Sequence, residues 1–162
     1  MARRLEPRQT VTELSHIDDQ GRATMVDVGE KPPMRRRAIA EGFFVAAAQT
    51  IDKLMAGDLP KGEALAVARI AGINAAKRTD ELIPLCHTLP LDHTSVEFER
   101  KADQRVRVTA TASITGKTGV EMEALVAVSV ACLTLYDMTK AIDKDLRIED
   151  IRLVEKTKNP VD

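Results

Sequence analysis

Residues 94–114, TSVEFERKADQRVRVTATASI, decide the fold. Val96 and Phe98 alternate with Glu97 and Glu99, and further on Val106, Val108 and Ala110 alternate with Arg107 and Thr109. A period of two sends successive side chains to opposite faces of a strand, so the stretch reads as two half-buried strands joined through Lys101-Ala102-Asp103-Gln104. The adjoining stretch, residues 119–142, is GVEMEALVAVSVACLTLYDMTKAI. Met122, Leu125, Val126, Ser129, Leu133 and Tyr136 recur at helical spacing, and no charge falls between Ala124 and Tyr136. This predicts a long helix that is buried over most of its length.

Upstream, Arg35–Ala46 mixes helix-favouring alanines with alternation, and Phe43-Phe44-Val45 tips it towards a strand. Thr24–Val28 reads as a short extended piece and residues 29–33 as a loop. A short helix follows over residues 47–55, stopped by Gly57. Asp58-Leu59-Pro60-Lys61-Gly62 is a turn. Residues 63–77 form a second helix of small apolar residues, whose Gly72 implies close packing against another element. Thr79 fits as N-cap of a short piece over residues 80–83, which Pro84 interrupts. Leu146–Glu155 alternates as a final strand. The resulting order is a βαββαβ pattern: an α+β, ferredoxin-like fold with helices packed on one face of an antiparallel sheet.

Composition sets further bounds. The 162 residues suit one domain, expected over 14–156 between flexible tails at 1–13 and 157–162. With no Trp and only 2% aromatics, the core must rest on Ala, Val, Leu, Ile and Met. A net charge of −1 gives no excess of positive charge for binding nucleic acid, and few aromatics are present to stack bases. Two cysteines, Cys86 and Cys132, are too few for a disulfide scaffold. No apolar run reaches about 18 residues, so no membrane span is expected, and the expected compartment is the cytoplasm.

Ile114-Thr115-Gly116-Lys117-Thr118 imitates the end of a P-loop. The full motif needs glycine where Thr111 stands, and the strand before it belongs to a hairpin rather than to a parallel sheet. What survives is a cation, Lys117, near a helix start that attracts anions. Other charged groups stand at Lys61 with Arg69, at Lys77-Arg78 with Cys86-His87 beyond, at Glu121 and Glu123, and at Asp137 with Lys140. Adjacent Cys86 and His87 chelate one metal poorly and no second Cys/His pair exists, so no metal site is expected. Lys77 and Arg78 also have a plain use in offsetting a helix dipole. Asp137 and Lys140 could form an ordinary surface pair on one helix face. Glu121 and Asp137, sixteen residues apart, are separated by about 24 Å along a straight helix, far beyond hydrogen-bond contact. If both serve one site, two copies must meet, which an antiparallel pairing about a two-fold axis achieves.

Several fragments together resemble the cyclic pyranopterin monophosphate synthase family of molybdenum cofactor biosynthesis. They are Leu14-Ser15-His16-Ile17, Met25-Val26-Asp27-Val28, Ala68-Arg69-Ile70-Ala71-Gly72-Ile73, Ala75-Ala76-Lys77-Arg78-Thr79, Leu82-Ile83-Pro84-Leu85-Cys86-His87, residues 115–125 and Tyr136-Asp137-Met138. The resemblance implies an acid–base rearrangement without metal, cofactor or redox change. It converts a cyclised dihydroguanosine triphosphate, supplied by an upstream radical GTP cyclase, into cyclic pyranopterin monophosphate and pyrophosphate. It implies a ferredoxin-like fold and a hexamer of three dimers with sites at the dimer interface. By position, Leu85, Cys86, His87, Met122 and Glu123 match substrate-binding segments, Asp137 a catalytic acid or base, Lys61 and Lys140 lysines tied to catalysis, and Glu121 a further site residue. Residues 57–60 fit the family pattern poorly, and Thr88 stands where proline is common.

A triphosphate needs several cations, for which Lys61, Arg69, Lys77, Arg78, His87 and Lys117 are the candidates. Clustering is expected to depress the lysine pKa values, so that Lys61 or Lys140 donates a proton near neutral pH. A non-catalytic nucleotide sensor would use the same cations but has no need of Asp137 and Lys140. A ferredoxin-like RNA-binding domain would expose sheet aromatics, and only Phe98 lies in the hairpin.

Overall fold

A computed structural model describes residues 17–161 except residue 19. The expected N-terminal tail, 1–13, lies outside the described residues. The elements run β1 (Met34–Val45), α1 (Ala48–Ala56), α2 (Ala64–Ala76), α3 (Thr79–Leu82), β2 (His93–Ala102), β3 (Arg105–Gly116), α4 (Glu121–Thr139) and β4 (Arg147–Pro160). The strands form one sheet in the order β2-β3-β1-β4, with every neighbouring pair antiparallel. This is the expected α+β, ferredoxin-like arrangement: β3 lies between β1 and β2, and the helices form the crossover.

The alternation that predicted the hairpin also decides which face is covered. Val106, Val108, Ala110, Ala112 and Ile114 of β3 are buried under the helices, and Ala38, Ala40 and Phe44 of β1 continue the row. Arg105, Arg107 and Thr109 point to the other face, where Arg107 pairs with Glu99 and Arg105 lies 3.9 Å over the Phe43 ring.

Helix α4 is the centre of the core, with Ala124, Ala127, Val128, Ala131, Cys132 and Leu135 buried. Two glycines let it sit close. A Cβ on Gly42 of β1 would come within 2.8 Å of Val128 Cγ1, and a Cβ on Gly72 of α2 within 2.8 Å of the Ala127 carbonyl oxygen and 2.9 Å of Val96 Cγ2. The helix is clasped between the sheet and α2 at these two contacts. By length and composition α4 is apolar enough to cross a membrane, against the expectation that no stretch reaches that length. Here it is spent on the core.

Other departures from the expected elements have local causes. Thr79 does not cap α3: its hydroxyl donates to the Ala75 and Ala76 carbonyls and so closes the end of α2. Residues 24–28 join no strand. Strand β4 continues past Glu155, and residues 157–160, expected as part of a tail, pair with Met34–Arg37. Asp150 lies in the left-handed region (φ 52°) where the β1–β4 register shifts, and its carboxylate pairs with Arg105 at 2.6 Å.

At the other end of α4, turn chemistry places the lysines. Gly57, at φ 71°, closes α1, and its N–H bonds the Leu54 carbonyl. Gly62 (φ 89°) bonds back to Leu59, forming the turn that carries Lys61. Asp143 accepts from the Ala47 N–H (2.8 Å) and the Thr50 hydroxyl (2.9 Å), which staples the turn after α4 to the start of α1.

Gly72→Ala tests the clasp by its sign. Helix propensity favours alanine by about 1 kcal/mol, whereas overpacking costs about 1–3 kcal/mol. We expect a net loss of stability, read as a lower urea midpoint; a midpoint at or above wild type would show that α2 and α4 have room to spare.

Candidate active-site halves at the two ends of helix α4

Three segments meet around a cavity of about 410 Å3 at the start of α4. Val26, Val28 and Lys31 come from the irregular segment before β1, and Leu85, Cys86, His87 and Leu89 from the chain after α3. Thr118, Gly119, Glu121, Met122 and Glu123 come from the turn into α4 and its first turn. Pro84 ends the helical run and leaves residues 85–89 irregular beside α4. Acidic residues in a first helical turn are favoured by the macrodipole, which suits Glu121 and Glu123.

His87 Nε2 lies 2.8 Å from the Val26 carbonyl oxygen. A carbonyl only accepts, so Nε2 carries the hydrogen, and Nδ1 is left for another partner. Glu123 is 3% exposed. Burial is the main cause that pushes its carboxyl up to about 7; its own backbone N–H opposes the shift, while Glu121 and Asp80 add to it. Burial, Glu123 and Asp80 also raise the Cys86 thiol. Glu121 is paired to Lys156 of β4 at 3.2 Å. The cavity is therefore mainly acidic, with Lys31 and His87 at its wall.

The far end of α4 has the opposite character. Lys61 Nζ donates to the Asp137 carboxylate (3.0 Å) and to its backbone carbonyl (2.9 Å), while Lys140 Nζ reaches the other carboxylate oxygen at 2.6 Å. Lys61, Tyr136, Lys140, Ala141, Asp143 and Lys144 line an open hollow of about 420 Å3. The Lys140 hydrogen bond first, and then that of Lys61, holds the Asp137 carboxyl below the ordinary carboxylate range. The expected depression of Lys140 is not found. Its pKa is raised, because the hydrogen bond and charge of the Asp137 carboxylate in direct contact outweigh the lowering by desolvation.

Of the remaining predicted cations, Arg69, Arg78 and Lys117 are engaged elsewhere. Arg69 Nε donates to the Val96 carbonyl at 3.2 Å, and its guanidinium lies 5.5 Å from the Phe98 ring, tying α2 to β2. Phe98 thus faces the helices, not the open sheet face an RNA-binding domain would use. Arg78 pairs with Glu81 at 2.6 Å, and Lys77 is exposed at the end of α2. Lys117 lies beside the first cavity without lining it, and donates to the Gly29 carbonyl at 2.6 Å. Lys31, Lys144 and Lys156 were not foreseen: the first two lie in non-periodic loops, and the third on a strand whose pairing fixes its neighbour only in three dimensions. Among the described residues, no group of three or more His, Cys, Asp or Glu is placed to hold a metal ion.

The model of the MoaC family matches residues 25–159. The chain belongs to this family. Relatives named cyclic pyranopterin monophosphate synthase include one from Novosphingobium aromaticivorans, 58% identical over 146 residues, covering 90% of this chain and 92% of the relative. Another, from Chloroflexus aggregans, is 55% identical, covering 91% and 90%. A third, from Roseiflexus sp., is 54% identical, covering 91% and 94%. The MoaC match takes in both ends of α4 and reaches into the segment before β1 that walls the first cavity.

The raised Glu123 carboxyl has a linkage consequence. The folded protein binds this proton more tightly than the unfolded chain, so its contribution to stability falls as pH rises from the ordinary carboxylate range through about 7. Urea midpoints should decline over that window in wild type relative to Glu123→Gln, and parallel profiles would contradict the raised value.

Proposed function

We propose that the chain is a cyclic pyranopterin monophosphate synthase of molybdenum cofactor biosynthesis, with each working site formed by the start of α4 in one copy and the end of α4 in a second. The reaction takes a cyclised dihydroguanosine triphosphate to cyclic pyranopterin monophosphate and pyrophosphate. The observation that carries this reading is the division of charge along α4. The acidic cavity around Glu123 suits the N–H donors of a guanine-derived ring. The Lys61, Lys140 and Lys144 cluster suits a polyphosphate. A nucleotide triphosphate needs both, and within one chain they stand about 24 Å apart.

In the joined site, Asp137 enters the reaction as a carboxylate, since two lysines keep it ionised. It serves as the base, and Lys61 or Lys140, released from it by the incoming phosphates, returns the proton to the ring nitrogen whose bond is cleaved. A ribose hydroxyl then attacks the innermost phosphorus, and its proton leaves with the pyrophosphate. The bond to the outer two phosphates breaks, pyrophosphate leaves, and the lysines stabilise the charge that develops on it. Lys31 adds a donor from the first half, and His87 Nδ1, with the hydrogen on Nε2, adds an acceptor. The assembly is proposed as a hexamer of three dimers working in the cytoplasm, a compartment that suits the free thiols Cys86 and Cys132. An upstream radical enzyme acting on GTP is its source of substrate.

Incubating the purified protein with the cyclised nucleotide should yield pyrophosphate and the cyclic monophosphate. Asp137→Asn and Lys140→Ala should each lower kcat about 100-fold or more with the fold intact. A Lys140→Ala protein that turns over at the normal rate would remove that lysine from the chemistry.

A further inference from the structure

We infer that Lys117 is a positioning residue that latches the segment Val26–Lys31 across the first cavity as a strap, instead of binding substrate phosphate itself. The inference deepens the synthase reading, but its structural half stands without it.

The strap supplies Val26, Val28 and Lys31 to the cavity wall. It belongs to no helix or strand, so no ladder of backbone hydrogen bonds fixes it to the body. Its internal bonds are local: the Gly29 N–H donates to Asp27 Oδ1 at 2.8 Å, and the Lys31 N–H to the Val28 carbonyl at 3.1 Å. Those bonds shape a turn without saying where it lies. Position comes from two side chains of the body that reach strap carbonyls on either side of Val28. His87 holds Val26 at 2.8 Å and Lys117 holds Gly29 at 2.6 Å.

Lys117 sits in the turn between β3 and α4, directly before Thr118 and Gly119, which do line the cavity. Its own ammonium passes outside the cavity and ends on the strap. A charged donor on a carbonyl makes a stronger tie than a neutral pair. The result is that the turn at residues 28–31 is aimed, and Lys31 with it, at the space where an anionic substrate would enter. Lys117 therefore acts through the strap, and Lys31 is the cation that faces the ligand.

Amide hydrogen exchange on the ligand-free protein tests this. Lys117→Ala and Lys117→Met, the second keeping most of the apolar stem, should speed exchange over residues 26–31 about tenfold or more while leaving residues 93–116 at wild-type protection. Lys117→Arg, which still donates to a carbonyl, should restore most of the strap's protection. In turnover, Ala and Met should raise KM about tenfold and leave kcat within about twofold. Strap exchange unchanged from wild type in both variants would overturn the latch and return Lys117 to the list of phosphate ligands. A strap that loosens in a protein with no turnover of the cyclised nucleotide, wild type included, would keep the latch and remove the synthase reading.

Discussion

Everything in this fold is arranged around one helix held at its middle. Gly42 below and Gly72 beside it admit α4 at distances that a Cβ on either would violate. The small side chains on both elements, Ala38 and Ala40 on β1 and Ala64, Ala68 and Ala76 on α2, extend the same close approach. A helix clasped there cannot tilt or slide without opening gaps on two sides, because protein interiors are packed to near-crystal density. Its nineteen residues therefore act as a fixed spacer, and its two ends present their side chains at a set separation.

That spacer determines the chemistry. Each end gathers charges of a different kind, and each gathering has its own local support. Burial pushes the Glu123 carboxyl, at the wall of the first cavity, up to about 7. Asp137 is kept ionised by two lysines, one from the Asp58–Gly62 turn and one from the residue that caps the end of α4. Two carboxyl groups pushed in opposite directions by their surroundings are the usual sign of an acid–base site. Separated by a rigid helix, they stand too far apart to serve one site within one chain, and the proposed site joins them through a second chain.

The fold was legible wherever periodicity was strong. Hairpin β2–β3 and helix α4 follow directly from the alternation of residues 94–114 and the uncharged run from Ala124 to Tyr136. Gly57 and Gly72 also read correctly, because a helix stop and a close contact each demand the absence of a side chain. What could not be read depends on long-range partners. Thr79 has the right chemistry for a cap, but the carbonyls it reaches lie behind it in α2. Strand β4 runs on to Pro160 because β1 offers it partners as far as Met34, a fact absent from its own polar sequence. At the site, the positions of Lys61 and Lys140 were visible, but the direction of the Lys140 shift was not, since it turns on a 2.6 Å contact with Asp137. Lys31 gave no signal, being neither periodic nor capped, and Met25–Val28 carried a family resemblance and an extended reading but nothing that placed it across a cavity.

The central claim, that opposite ends of α4 from two chains build one site, is tested most directly by mixing defective proteins. His87→Ala disables one half and Asp137→Asn the other. Unfolding and refolding an equal mixture places both in the same assembly. Each mixed pair then holds one doubly damaged and one intact site, so about a quarter of wild-type activity should return from two nearly inactive parents. Activity no greater than the mean of the parents, in assemblies shown to contain both chains, would contradict the account.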